Sequence, residues 1–103
     1  MQPTALLVTH RTKPGQRDAV RAVWERHMQP AVTANPGHVA YHYCFDPVDP
    51  DAIHAFQQYR SQEDATAFLQ TDAYQAYERD VAPLLAGPPA VTRLTPQWTK
   101  SGV

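Results

Sequence analysis

Among protein side chains, the histidine imidazole is the one that moves between acid and base near neutral pH without special help, and the chain has five. His10 stands near the end of a short β-prone run, Ala5 to Arg11. There Leu6, Val8 and His10 share one face, and Leu7, Thr9 and Arg11 the other. A histidine among apolar neighbours can act as a general base; the plain alternative is a strand-end histidine that is hydrogen-bonded or wet. Tyr41, Gln57 and Tyr59 fall on one face of their strands. Their hydroxyl and amide groups can hold a substrate oxygen but cannot act as bases at pH 7. Either they serve a ligand or they satisfy each other inside a core. A few polar groups in an apolar setting suit a small aromatic ligand. Trp24, Phe68, Tyr74 and Tyr77 sit on the apolar sides of helical segments, as cavity wall or as ordinary core. His42, Cys44 and His54 offer ligand types that zinc or copper accept. No fourth ligand is evident and a thiol buried in an interface lacks thiolate character, so neither a metal nor a cysteine nucleophile is expected. Glycine-rich phosphate loops and a nucleophile elbow are absent.

The elements that must position these groups follow from periodicity and punctuation. After the first run, Lys13-Pro14-Gly15 is a turn. A helix from about Gln16 to the high twenties carries Val20, Val23, Trp24, His27 and Met28 as its apolar stripe. Pro30 should end or kink it near Arg26; the pattern does not say whether helix resumes through Ala34. Asn35-Pro36-Gly37 is a firm stop. His38 to Asp46 reads as a strand with Val39, Tyr41, Tyr43 and Phe45 opposed to His38, Ala40, His42 and Cys44. A Pro/Asp loop, Pro47 to Asp51, leads to a third strand, Ala52 to Arg60. A hairpin symmetric about Asp49 sets Tyr41 opposite Gln57 and Cys44 opposite His54. Ser61 with Asp64 three residues on is a capping-box signal, and Thr71-Asp72 starts a second short helix that Pro83 and Gly87-Pro88-Pro89 close. Ala90 to Thr95 is the last strand.

The order β-α-β-β-α-α-β gives an α+β sandwich of two layers, a four-stranded sheet with helices on one face. Leu7, Phe56 and Leu94 fall on the bare face, and pairing two sheets across a two-fold axis would bury them, which predicts a homodimer. Trp98, in the tail Pro96 to Val103, is read as an anchor onto that second subunit rather than an exposed accident. The whole chain, 1–103, is expected to form one domain with a core of about 5–95.

Composition excludes several classes. The formal net charge is −1 and no Lys/Arg run exists, so nucleic acid and anionic membranes have no electrostatic footprint. No apolar run approaches the ~20 residues of a membrane span, and the N-terminus carries no signal-peptide pattern. Cys44 is the single cysteine, which rules out an internal disulfide and suggests a reducing, cytoplasmic setting.

From about Leu6 to Thr95 the chain resembles the antibiotic biosynthesis monooxygenase family, the dimeric α/β-barrel branch of ferredoxin-like folds. The resemblance rests on Lys13-Pro14-Gly15, Asn35-Pro36-Gly37, Tyr41 with its Asp/Pro hairpin loop, and the run Tyr59-Arg60-Ser61-Gln62-Glu63-Asp64-Ala65 leading to Thr71-Asp72-Ala73-Tyr74. It implies a homodimer whose sheets meet as a barrel, with a small-molecule pocket between sheet and helices in each subunit. Some relatives oxygenate aromatic polyketides or quinols with no metal or flavin, and others degrade haem. Gln57 stands where many members have an acid, Phe68 and Ala73 where many have histidines. Val8 and Tyr59 replace the Asn and Trp of the haem-degrading branch, so haem degradation is not expected. By parity and by the resemblance, His10 faces the helices. The resulting expectation is monooxygenation of a small aromatic, quinol or polyketide-like compound without a cofactor. His10 would be the base, with Tyr59 and Gln57 on the oxyanion and Trp24, Tyr41, Phe68, Tyr74 and Tyr77 contacting the substrate. The alternative is a non-catalytic dimer of the same fold that binds a small hydrophobic ligand or serves a structural role.

Overall fold

The protein is described by a computed structural model covering residues 2–100. Strand β1 (Thr4–Arg11) leads into helix α1 (Arg17–Ala34). The hairpin of β2 (His38–Phe45) and β3 (Ala52–Tyr59) follows. Helices α2 (Gln62–Leu69) and α3 (Asp72–Val81), a 3-10 turn (Ala82–Leu84) and β4 (Ala90–Leu94) complete the order. All neighbouring strands are antiparallel, in the order β2-β3-β1-β4. This is an α+β ferredoxin-like fold. Among the described residues, no helix is long and apolar enough to cross a membrane.

The helices cover the face that carries Leu6, Ile53 and Tyr59, where Val20, Val23 and Met28 of α1, Phe68 of α2, and Tyr77 and Val81 of α3 pack into one core. The opposite face keeps Leu7 and Leu94 exposed and Phe56 partly so. The β2–β3 register matches the symmetric hairpin, with Tyr41 opposite Gln57 and Cys44 opposite His54. The loop fixes it. The Asp46 carboxylate accepts from the backbone N–H groups of Val48 and Asp49, and that of Asp49 from Asp51 N–H. Arg17 donates to the carbonyls of Asp46, Asp49 and Ala52 and lays its guanidinium over the Phe45 ring at 4.1 Å. Ser61 caps α2 by accepting from Asp64 N–H at 3.1 Å, but the return half of the capping box is missing because Asp64 pairs with Arg60 instead.

Two expectations need correction. Helix α1 does not stop near Arg26: it runs through Pro30 to Ala34. The proline costs a hydrogen bond and steric strain, about 3 kcal/mol in a helix interior. Met28, Ala31 and Val32 pack against the core on both sides of it and offset that cost. Strand parity also fails at the start of β2. His38 pairs with Tyr59 and Ala40 with Gln58, so Val39 is an extra residue and the strand bulges. Val39 is 57% exposed, and His38 lands on the helix-covered face with Tyr41 rather than with His42 and Cys44.

Pro30 is exposed, so Pro30→Ala should restore the missing donor without disturbing packing and raise stability by roughly 1–3 kcal/mol. Urea denaturation checks this; a loss of stability would contradict a continuous α1.

Candidate functional site

Between the sheet and the helices lies a cavity of about 120 Å³. The eight side chains singled out from the sequence, His10, Trp24, Tyr41, Gln57, Tyr59, Phe68, Tyr74 and Tyr77, all stand in its wall, with Leu6, Val8, Met28 and Tyr43 among the others. Strand pairing explains the convergence: Leu6 sits opposite Gln57, Val8 opposite Ala55, and Tyr41 opposite Gln57 from the other side. At the β4 end a wider recess of about 270 Å³ shares His10, Tyr74, Tyr77 and Pro89 with the cavity. The inner space is small, and the neighbouring recess that shares His10 with it comes near the ~300 Å³ at which small-ligand sites begin.

The wall is stiff and mostly apolar. Trp24 stacks on Tyr43 at 4.2 Å between centroids, and its indole N–H donates to the Tyr41 hydroxyl at 3.1 Å. Burial pushes the Tyr41 hydroxyl up to about 12 and raises those of Tyr43, Tyr59 and Tyr77 further, so none ionises near neutral pH. At the inner end, Tyr59, only 1% exposed, donates its hydroxyl to Gln57 Oε1 at 2.8 Å. It is therefore committed to Gln57 and not free to hold a substrate oxygen itself. His38 Nε2 lies 3.2 Å from the same Gln57 oxygen, and its ring packs between Tyr59 and Phe68.

His10 faces the cavity with its ring edge-on to Tyr77 at 6.4 Å. Its Nδ1 and the Tyr43 hydroxyl are the buried side-chain polar atoms without a hydrogen-bond partner among the described residues. Such orphans in a cavity wall are the places where a water or a ligand atom is wanted. Burial lowers the pKa of His10, and that of His38 likewise, against a smaller opposing effect of the Gln57 bond. Both imidazoles are thus neutral at pH 7 and able to accept a proton or a hydrogen bond.

His38 is the residue the sequence reading missed, and His10 is not the sole imidazole on this face. On the other face, His54 is spoken for on both ring nitrogens, by Thr9 Oγ1 at 3.1 Å and Asp46 Oδ2 at 2.8 Å. Cys44 is exposed in the single chain. No three His, Cys, Asp or Glu side chains converge to hold a metal ion among the described residues. His27 leaves the apolar stripe of α1 to meet Asp80 of α3 at 2.8 Å. Trp98 is 81% exposed.

The sequence model of the antibiotic biosynthesis monooxygenase family matches residues 3–80. The chain belongs to this family. Two solved structures are 28% identical to it with a TM-score of 0.83 each: a candidate antibiotic biosynthesis monooxygenase of Chloroflexus aurantiacus and Rv0793 of Mycobacterium tuberculosis. Both comparisons cover 96% of this chain, and 97% and 99% of the respective relatives. A Nitrosomonas europaea protein of the same description as the first reaches a TM-score of 0.89 at 17% identity, covering 97% of this chain and 95% of its own, and supports the fold alone. No curated protein matches the chain. Gln57 and Phe68, both in the matched region, stand together in the cavity wall of this antibiotic biosynthesis monooxygenase family member. Here an imidazole reaches Gln57 from the sheet, with the His38 ring edge-on to Phe68 at 4.6 Å.

The lowered histidines set a pH dependence. The folded protein resists protonating His10 and His38, whereas the unfolded chain protonates its histidines near pH 6.5. Between the two values the unfolded state binds more protons, so stability rises with pH and is lost as pH falls below about 6.5. Asp46, lowered by the Asp49 backbone N–H before its other partners, and Asp80, lowered first by its bond to His27, stay ionised there and lose stabilisation only in the acid range below about pH 4. Thermal midpoints from pH 7.5 to 5 should decline, and His10→Gln should flatten part of the decline; an unchanged profile would mean that His10 is not desolvated.

Proposed function

We propose that this chain is a monooxygenase of small aromatic, quinol or polyketide-like compounds that needs neither metal nor flavin and works as a cytoplasmic homodimer. The observation that carries this reading is the aromatic cavity walled by a neutral, half-buried His10 whose Nδ1 has no partner. Family membership over residues 3–80 supports the reaction class.

In the proposed reaction His10 removes a proton from a hydroquinone or an activated CH₂ group. The resulting anion passes electrons to dioxygen. One oxygen atom stays on carbon and the other leaves as water, so a hydroquinone becomes a hydroxyquinone and the substrate itself is the reductant. Gln57 and Tyr41 hold the developing oxyanion, where donors aimed at new charge matter most; Tyr59 acts through Gln57, to which its hydroxyl is bonded. Trp24, Phe68, Tyr74 and Tyr77 shape the space and exclude water. The dimer reading rests on exposed Leu7 and Leu94 beside Phe56 on the uncovered sheet face. The single-cysteine composition favours a reducing compartment. The rival reading, a non-catalytic ligand-binding dimer, draws on Phe68 and Ala73, which stand where many relatives carry histidines.

Oxygen uptake with a panel of electron-rich quinols and anthrones, chelator present and flavin absent, separates the two. Uptake above autoxidation that falls ~10²-fold in His10→Ala, the usual scale of general-base loss, is the expected result. Phe68→Ala should mainly weaken binding. Uptake no faster than autoxidation would leave the ligand-binding rival; uptake that survives His10→Ala would remove His10 as the base. Light scattering at micromolar concentration should give twice the 11.5 kDa chain mass, and a monomer would contradict the paired sheets.

A further inference from the structure

The carboxamide of Gln57 has a donating end and an accepting end, and the groups behind it decide which one the cavity receives. One backbone group near it has a fixed polarity. Gly37 N–H donates to Asn35 Oδ1 at 3.1 Å, which settles the orientation of the Asn35 amide. Asn35 Nδ2 then lies 2.9 Å from His38 Nδ1. An amide NH₂ only donates, so His38 Nδ1 is the bare nitrogen and the ring proton sits on Nε2. That Nε2–H meets Gln57 Oε1 at 3.2 Å, and the Tyr59 hydroxyl donates to the same oxygen at 2.8 Å. Both acceptor directions of the carbonyl are filled from behind. Turning the Gln57 amide over would set N–H against N–H at His38. Gln57 Nε2 makes no hydrogen bond among the described residues, and Gln57 is part of the cavity wall whereas His38 is not. The His38 ring cannot easily turn over, since it is held against Tyr59 at 4.2 Å and against Phe68 at 4.6 Å. Beside it, the Tyr41 oxygen accepts from Trp24 and keeps its own proton to donate.

We propose that Asn35 and His38 are positioning residues that lock Gln57 with its amide nitrogen toward the cavity, so that the site selects ligands carrying a hydrogen-bond-accepting oxygen at that wall. This deepens the ligand-site reading above and rests on it. Asn35 and His38 touch no ligand themselves; they act through Gln57.

The test uses the full chain, labelled with ¹⁵N, and needs no turnover. Long-range ¹H–¹⁵N spectra report imidazole tautomers directly. Wild-type His38 should be the Nε2–H form. Asn35→Asp still accepts from Gly37 N–H but cannot donate, so it should move His38 to the Nδ1–H form or to the imidazolium. Titration with 1-tetralone and tetralin, which differ by one carbonyl oxygen, then reads the consequence. The ratio of the two affinities should fall ~10-fold in Gln57→Leu, the scale of one lost hydrogen bond to a buried group, and by several-fold in Asn35→Asp and His38→Leu. Tetralin affinity should hardly change. An Nδ1–H tautomer in the wild type, or a ratio that Gln57→Leu leaves unmoved while both compounds bind, overturns the positioning argument alone. If neither compound binds the wild type, the ligand-site reading falls with it.

Discussion

One backbone amide, Gly37 N–H, sets the direction of the polar groups at the inner end of the cavity. It requires an oxygen, it receives Asn35 Oδ1, and the order of donors and acceptors through His38, Gln57 and Tyr59 follows. Position 37 also has little room. A Cβ there would lie 3.0 Å from Asp64 Cβ and 3.3 Å from Asn35 Oδ1. Asp64 is held by Arg60 and supplies the N–H that Ser61 caps. The turn before β2, the start of α2 and the hydrogen-bond order inside the cavity therefore meet at one glycine, chosen for space and not for an unusual backbone angle.

One-sided coverage of the sheet accounts for the rest. Three helices over one face bury a layer rich in aromatic rings, which are large and rigid and stack with preferred geometry. Trp24 against Tyr43 and Tyr77 edge-on to His10 fill their contacts without filling the space between them. A cavity remains, closed enough to desolvate an imidazole and open toward β4, whose residues are all exposed. The same asymmetry leaves Leu7, Phe56 and Leu94 facing outward. Candidate ligand site and candidate subunit contact are thus the two faces of one sheet.

The fold was legible because its signals were local and consistent. Period-two alternation gave β2 and β3, the Asp/Pro loop gave the hairpin, and that loop is tied by side chains which pin the register centred on Asp49. Most of the cavity wall followed from parity. What parity could not give was a residue that breaks it. Nothing in His38-Val39-Ala40 marks Val39 as a bulge, yet that insertion brings His38 into the network. The Asn-Pro-Gly turn was visible, but the Asn35 side chain bonding onto Gly37 is a matter of geometry. Pro30 was read by its local cost, which tertiary packing of Ala31 and Val32 overrides. Cys44 was placed inside an interface that belongs to two chains, whereas in one chain it is exposed.

As a ligand site, this cavity would meet its ligand with donors on the inner wall. A crystal structure of the protein soaked with 1-tetralone should show the ring against Trp24 and Phe68, with its carbonyl oxygen about 3 Å from Gln57 Nε2 or the Tyr41 hydroxyl, the ordinary hydrogen-bond distance. A cavity closed by collapsed side chains, or a ligand whose oxygen turns away from Gln57 and Tyr41, would contradict that reading.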